Sequence, residues 1–291
     1  MPAQPDVSVP PDVPAQADVS VPLDVPAPAD VPADAGGPRL RLLSYNVHSL
    51  RDDVDALTAV VRAAAPDVVV LQEAPRRLRW RTRSATLAGR FGLVVAGGGE
   101  PALGNLVLTN LRVAVRGHRC VRYPLTPGRH MRGTVLVDCE VNRVPFVVAG
   151  SHLATDPGER PAQAALLRRM LSDTDAPLLV GLDLNETADG RAWRALTADG
   201  ALVDAAAATG QAGAGTFPAA APRRRIDAIL VDARCGIAAY RVLDAAPAAT
   251  ASDHLPLLVD VILPPGRRSA PPVRAGRADL SRRSAPLPAP I

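Results

Sequence analysis

The chain has 291 residues, of which 47% are hydrophobic and 21% charged, and it has a formal net charge of +4 with no lysine. No hydrophobic run approaches the about 20 residues of a membrane span, and no secretory leader opens the chain, so the sequence predicts a cytoplasmic protein without integral membrane association. The three cysteines show no CxxC spacing, which argues against both a disulfide scaffold and a zinc site.

The two ends of the chain differ in composition from the middle. Residues 1–38 consist mainly of Pro, Ala, Val and Asp, with an Asp-Val pair recurring every six residues, and carry a charge of −6. Residues 264–291 are rich in Pro, Ala and Arg and carry a charge of +5. This composition predicts two disordered tails around one folded domain, residues 39–263, which is itself basic.

Apolar runs typical of strands recur along the predicted domain. They cover residues 40–47, 68–71, 93–96, 106–109, 134–141, 146–149, 178–182, 226–231 and 257–262. The run 134–141 alternates strictly and is followed after two residues by the next run, which predicts an antiparallel hairpin.

Helical patterns lie between some of these runs. Residues 53–65 form one amphipathic helix that ends before Pro66. A second pattern covers residues 159–171. Its predicted apolar face consists of Ala162, Ala165, Leu166 and Met170, with Leu167 and Leu171 flanking it. Many strands with few helices predict two sheets packed face to face, with the helices outside.

Six short polar clusters are spread along the domain, most of them at the end of an apolar run. They cover residues 44–48, 71–73, 150–153, 183–185, 225–227 and 252–254. Carboxylates, amides and imidazoles placed repeatedly at strand ends suit a phosphate-ester hydrolase that uses a hard metal ion. Because no structural role requires all six clusters, together they predict that chemistry.

Two clusters offer oxygen ligands for a metal ion. Glu73 follows the buried run that ends at Gln72, and Mg²⁺ or Mn²⁺ is usually held by one or two carboxylates together with water and substrate phosphate. Asn46, also at a strand end, is suited to supporting that carboxylate or to contacting phosphate. The alternatives are an exposed strand-end acid for Glu73 and a turn-forming residue for Asn46.

A carboxylate and an amide follow the run 178–182. Asp183 and Asn185 stand two residues apart, so on an extended backbone both side chains face the same way. Such a pair suits an attacking water and the group that orients it. An Asx-turn leading into the next helix explains the same two residues equally well.

The remaining clusters supply imidazoles. Asp227 lies inside an apolar run, where a buried acid needs a partner, and His254, next to Asp253, is the candidate. His152 follows the run 146–149 and supplies a second imidazole. The other three histidines have no comparable setting, and we leave them unassigned.

In this order and spacing, the six clusters resemble the endonuclease/exonuclease/phosphatase superfamily, the DNase I-like metal-dependent phosphohydrolases. The resemblance covers roughly residues 40–263. It implies an α/β fold, a four-layer α/β/β/α sandwich of two mixed, largely antiparallel sheets, with a cleft at one edge of the sheets. It also implies a divalent metal cofactor, Mg²⁺ or Mn²⁺.

The resemblance also implies catalytic roles for five residues. His152 would contact the scissile phosphate. Asp183 would orient or deprotonate the attacking water, with Asn185 beside it. His254, held by Asp227, would stabilise the developing negative charge.

For the metal and phosphate shell, the resemblance implies Asn46 and Glu73, with Asp253 in or near a metal shell. One departure concerns the motif Gly-Asp-x-Asn, which is common in the family. Here Leu182 stands directly before Asp183, where the family has glycine. A leucine at this position raises the question of whether it moves the carboxylate.

The predicted reaction is hydrolysis of a nucleic-acid phosphodiester by a monomeric enzyme. The basic core supports this prediction, as does a run of five arginines after Glu73: Arg76, Arg77, Arg79, Arg81 and Arg83. A solvated loop explains the same run equally well. One alternative is a sphingomyelinase-like, phosphoinositide or small phosphate-ester hydrolase, since aromatic residues make up only 3% of the chain. Another alternative is a non-catalytic binding module on the same fold.

Overall fold

The computed structural model describes residues 36–266, so the two predicted tails lie almost entirely outside the described residues. The strands of the described part are β1 (Arg39–Asn46), β2 (Val68–Gln72), β3 (Val94–Gly99), β4 (Asn105–Thr109), β5 (Ala114–Arg122), β6 (Gly133–Val141), β7 (Val144–His152), β8 (Leu178–Asp183), β9 (Leu202–Asp204), β10 (Asp227–Asp232), β11 (Gly236–Val242) and β12 (Leu257–Ile262). The helices are α1 (Val54–Ala64), α2 (Trp80–Phe91), α3 (Arg160–Ser172), α4 (Arg191–Thr197), α5 (Ala205–Ala208) and α6 (Ala248–Ala251).

The strands form two six-stranded sheets. One sheet has the order β11-β12-β1-β2-β4-β3, and the other has the order β5-β6-β7-β8-β10-β9. Each sheet contains a single parallel pair, β1 with β2 and β7 with β8, and its other neighbours are antiparallel. The predicted pair of mixed, largely antiparallel sheets is therefore confirmed, as is the predicted hairpin of β6 and β7.

Three layers of apolar side chains hold the sandwich together. The middle layer joins the inner faces of the two sheets, for example Val70 and Phe146, and contains the buried Cys139. A second layer packs α1 and α2 on the first sheet, and a third packs α3 and α4 on the second sheet. Because the central strands alternate between two buried faces, both sheets are covered on both sides, which gives the four layers α/β/β/α.

The two parallel pairs bring the polar clusters to one edge of the sandwich. A parallel pair needs a crossover helix, which is α1 between β1 and β2 and α3 between β7 and β8. The carboxyl ends of all four strands lie at the same edge, since Asn46 at the end of β1 bonds Asp183 at the end of β8. Asp53 fixes the start of the first crossover helix, because its side chain accepts hydrogen bonds from the backbone N–H groups of Asp55 and Ala56.

Two glycines let the sheets approach closely near this edge. A Cβ atom on Gly181 of β8 would lie 2.7 Å from Ser44 Oγ of the facing sheet. A Cβ atom on Gly150 of β7 would lie 2.7 Å from Val70 Cγ1. Side chains cannot approach so closely, so glycine at these two positions sets the spacing between the sheets.

The sequence patterns do not predict β5, β9 or β11, and they predict no helix apart from α1, α3 and the helix after Asn185, which is α4. The centre of the buried face of α3 is shifted from the prediction. The predicted flanking residues Leu167 and Leu171 are buried, whereas Leu166 and Met170 pack only partly on the core. Arg160, Gln163 and Ala164 are buried beside them. Polar contacts explain the shift, since Gln163 Oε1 accepts a hydrogen bond from the buried backbone N–H of Ala154.

The arginine run is only partly a loop. Arg81 and Arg83 lie within α2, which begins at Trp80, and Arg79 precedes it in a left-handed conformation. The guanidinium carbon of Arg81 lies 4.4 Å from the centroid of the Trp80 ring.

Candidate active site

Three of the predicted site residues lie side by side in one row across the second sheet. The pairing register places His152 of β7 opposite Asp183 of β8, and Asp183 opposite Asp227 of β10. All three residues are buried, with at most 5% of their surface exposed. The fold thus brings together two carboxylates and an imidazole that are up to 75 positions apart in the chain.

His254 completes this row from the loop before β12. Its Nδ1 atom lies 2.9 Å from Asp227 Oδ2, the contact that the sequence predicts. Burial alone would lower the pKa of His254, but the Asp227 carboxylate outweighs burial and raises that pKa to about 9. The imidazole is therefore a cation at neutral pH. Phe217 packs against it with 4.9 Å between the ring centroids.

Asp183 links the two sheets at the centre of the site. Its Oδ2 atom accepts a hydrogen bond of 2.9 Å from Asn46 Nδ2 at the end of β1. Its Oδ1 atom accepts a hydrogen bond of 3.0 Å from the backbone N–H of Asn185. The Asn185 backbone is left-handed, with φ of 53°, so the chain turns directly after the carboxylate. The Asx-turn expected from the sequence is therefore present, and it forms next to the other polar side chains of the site.

Leu182 does not disturb this carboxylate. Alternation along β8 points the Leu182 side chain away from Asp183 and into the apolar layer with Trp193 and the helices. The leucine backbone has no positive φ, so a glycine is not required there.

His152 is held by donors on both sides. Its Nδ1 atom lies 3.2 Å from a guanidinium nitrogen of Arg132, and its Nε2 atom lies 2.9 Å from Asn185 Nδ2 and 3.2 Å from Asp183 Oδ2. Burial lowers the pKa of His152 to about 3. Because a guanidinium can only donate, Nδ1 accepts from Arg132, and Nε2 lies between the Asn185 amide and the Asp183 carboxylate.

Glu73 and Asp253 lie in the cleft that opens beside this network. The cleft has a volume of about 670 Å³, and the residues lining it include His48, Glu73, Arg76, Arg83, Arg132 and Asp253. Glu73 follows β2 in a left-handed conformation with φ of 55°, and its Oε2 atom accepts a hydrogen bond of 3.0 Å from Ser49 Oγ. The side chains of Glu73 and Asp253 are 30% and 37% exposed, so both carboxylates face solvent in the cleft.

Two sets of side chains offer donors for a metal ion. Asp183, Asp227 and His254 place one donor atom each within 4.8 Å of one another. However, His254 uses Nδ1 on Asp227, and a protonated imidazole does not bind a metal. Glu73 and Asp253 instead offer oxygen atoms in a cleft that has room for water, which is the environment that Mg²⁺ prefers. The donor set therefore fits a hard divalent ion.

The structure brings the predicted site residues to one edge of the sandwich and places further side chains beside them. Arg132 contacts His152. His48 and His130, unassigned from the sequence, both line the cleft. His48 lies two residues after Asn46 and 3.8 Å from Asp253 Oδ2, so proximity to a predicted site residue was its only signal.

Comparison with known proteins agrees with this geometry. The sequence matches the Endonuclease/Exonuclease/phosphatase family over residues 43–254, most of the chain. The protein therefore belongs to this family, whose members are enzymes that hydrolyse phosphate esters. A search of curated proteins finds no match to the sequence.

Solved structures share the fold at low sequence identity. The mannosyl-6-phosphatase of Bacteroides thetaiotaomicron is 16% identical with a TM-score of 0.65, over 77% of this chain and 100% of that one. The human Nocturnin catalytic domain with bound sulfate is 16% identical with a TM-score of 0.63, over 78% and 95%. TDP2 from D. rerio, in complex with a single-strand DNA product, is 16% identical with a TM-score of 0.60, over 77% and 98%. At these identities, the likeness shows the fold.

Within residues 36–266, no helix is long and apolar enough to cross a membrane.

Proposed function

We propose that this protein is a divalent-metal-dependent phosphodiesterase that acts by in-line attack of water on phosphorus. The observation that carries the proposal is the buried row of His152, Asp183 and Asp227 with the imidazolium of His254 beside it. A charged imidazole and a carboxylate side by side, next to a solvent-filled cleft, suit a reaction in which water loses a proton and phosphate gains charge.

Asp183 orients the attacking water and accepts its proton. In hydrolysis, the water oxygen bonds to phosphorus, the bond from phosphorus to the leaving ester oxygen breaks, and the water proton must be accepted. Asp183 is held in place by Asn46 and Asn185, so its orientation is fixed before the substrate arrives. A base fixed in this way loses little entropy when the water binds.

The imidazoles act on the phosphate oxygens. His254 is cationic and faces Asn46 and Asp183 through Nε2, so it stabilises negative charge that develops on the phosphate oxygens. His152, fixed between Arg132 and Asn185, is a neutral imidazole that positions the phosphate group.

Glu73, with Asp253 and Asn46 nearby, would hold the divalent ion. When bound, Mg²⁺ or Mn²⁺ supplies positive charge to the phosphate and leaving oxygens. The metal ion and the role of each of these side chains belong to the proposal.

Two substrate classes follow from the sequence, and the arginines of the cleft suit both. Among the described residues 36–266, no carboxylate, carbonyl or ring pairs with the side chains of the cleft residues Arg77 and Arg83. Unpaired guanidinium groups bind phosphate well, whether the phosphate belongs to a nucleic acid, as the sequence predicts, or to a smaller ester. The choice between the classes depends on what binds next to the phosphate.

The proposal is tested by hydrolysis of methyl 4-nitrophenyl phosphate with Mg²⁺, with Mn²⁺ and with chelator. We expect turnover that the chelator abolishes and that Asp183→Asn lowers at least a hundredfold, because the proton acceptor is lost. Asp232→Asn is a matched control, since this buried carboxylate on β10 pairs with Arg234 away from the cleft. Full activity of Asp183→Asn would refute the mechanism, and no turnover of any phosphate ester would favour the non-catalytic alternative.

A further inference from the structure

A groove lies beside the catalytic cleft, between α1 and α2. It has a volume of about 570 Å³. Its floor is aliphatic, since Leu50 and Val54 pack on the apolar layer beneath the first sheet and Leu87 is buried in that layer. Leu78 forms part of the rim and is 87% exposed. A large aliphatic side chain with that exposure, next to an aliphatic floor, marks a surface suited to an apolar ligand.

The groove and the catalytic cleft are continuous. Arg83 lines both of them. The segment from His48 to Leu50 also joins them, because His48 and Ser49 line the cleft and Leu50 lines the groove. A molecule with its phosphate in the cleft can therefore extend into the groove.

The positive charge at the rim of the groove indicates that the ligand also carries a negative charge. Arg79 and Arg83 stand at the edge of the groove, and within residues 36–266 neither guanidinium has a partner. Two free cations above an aliphatic floor complement a ligand that has a phosphate at one end and an apolar chain at the other.

The side chains around the groove also distinguish between the two substrate classes. Nucleic-acid bases bind proteins by stacking on aromatic rings, and none of the residues that line the groove is aromatic. The Trp80 ring is close in sequence, but it packs over Gly99 and under Arg81 instead. An aliphatic floor fits an alkyl chain better than a base.

We propose that this groove is a subsite for the aliphatic chain of a lipid phosphodiester whose phosphate is hydrolysed in the adjoining cleft. The proposal rests on the proposed phosphodiesterase activity and names its substrate class. Leu125 and Met131 are also exposed, in the loop between β5 and β6 that contains the cleft residue His130. The site is thus suited to a substrate that lies in a lipid surface.

The test is a chain-length series of 4-nitrophenyl phosphodiesters with methyl, butyl and octyl groups, measured with the full chain and Mg²⁺. We expect kcat/KM to rise with chain length, by up to about fourfold for each methylene that enters the groove. Leu78→Asp and Thr86→Trp should both reduce the octyl-to-methyl ratio at least tenfold, one by placing a charge at the rim and the other by filling the groove. Both positions are exposed, so neither change threatens the fold.

Leu111→Asp is the matched control, because Leu111 is 90% exposed and lies outside the groove. It should leave the octyl-to-methyl ratio at the wild-type value. A flat chain-length series, or an equal effect of Leu111→Asp, would overturn the subsite while leaving phosphodiester hydrolysis intact. The subsite would also be overturned if a single-stranded oligonucleotide were cleaved faster than the octyl ester and if Leu78→Asp slowed that cleavage. That result would assign the groove to nucleic acid.

A failure of the proposed activity gives a different result, since even the methyl ester would then stay intact. In that case, binding of octyl phosphate measured by calorimetry decides the question. Binding that Leu78→Asp weakens at least tenfold would support the groove, and no binding to the wild-type protein would overturn it.

Discussion

The contact between His254 and Asp227 gives the most specific prediction about catalysis. Replacing Asp227 with Asn keeps the shape of the side chain but removes its charge. The carboxylate accepts from His254 Nδ1 at 2.9 and 3.1 Å, in a site where both residues are at least 95% buried. The amide of Asn still offers a carbonyl oxygen to the ring, so the change tests the charge rather than the contact.

The size of the effect follows from the kind of hydrogen bond that is lost. A hydrogen bond to a charged group contributes about 1.5–3 kcal/mol, and a neutral one about 0.5–1.5 kcal/mol. The difference of about 1–2 kcal/mol predicts a fall of roughly 5- to 30-fold in kcat/KM, since each 1.4 kcal/mol is a factor of about ten. Steady-state hydrolysis of methyl 4-nitrophenyl phosphate measures this fall.

A double-mutant cycle shows whether Asp227 acts through the imidazole. In a His254→Gln background, Asp227→Asn should change kcat/KM less than about twofold, because the partner is already gone. A second 5- to 30-fold fall in that background would refute the reasoning and would indicate that Asp227 binds the metal ion directly. Asp232→Asn on the same strand should leave kcat/KM unchanged in both backgrounds.

Three further predictions concern stability and metal binding. Gly181→Ala should lower the free energy of unfolding by about 1–3 kcal/mol in urea titrations, because its methyl group meets the facing sheet, whereas Gly213→Ala, with open space around it, should be near neutral. Burial raises the pKa of Asp232, but hydrogen bonds from Arg234 outweigh it and hold that pKa below its usual value. Its ionised form thus stabilises the fold above about pH 4, and this contribution is lost as the pH falls below that value. The free energy of unfolding of Asp232→Asn should therefore fall less steeply than that of the wild type below about pH 4. An unchanged acid-unfolding curve would contradict this. Glu73→Gln should weaken Mn²⁺ binding in calorimetry at least tenfold, and unchanged affinity would exclude Glu73 as a ligand.

The fold was predictable from the sequence where strands are buried on both faces. Val68–Gln72 and Leu178–Asp183 are continuous apolar runs because helices cover one face and the second sheet covers the other. β5 was missed for the opposite reason. It is an edge strand whose residues are mostly exposed, so its sequence has no apolar alternation.

The helix faces and the cleft depend on contacts that local patterns do not contain. The face of α3 is set by Gln163 and by Arg160, which bonds the backbone carbonyl of Asn185, so two polar residues are buried where periodicity favours leucine. The groove between α1 and α2 could not be predicted from the sequence either. Because α2 buries little apolar surface and is rich in arginine, its sequence lacks the apolar periodicity that predicts a helix. In contrast, Asp227 was recognisable because an acid inside an apolar strand needs a partner.

The hydrogen bond between Asn46 and Asp183 has a consequence for the life of the polypeptide. These residues are 137 positions apart and belong to different sheets, and His254 follows much later in the chain. A nascent chain still on the ribosome, or a fragment that ends before His254, therefore lacks part of this arrangement. Under the proposed function, the site is complete only once nearly the whole domain has been made.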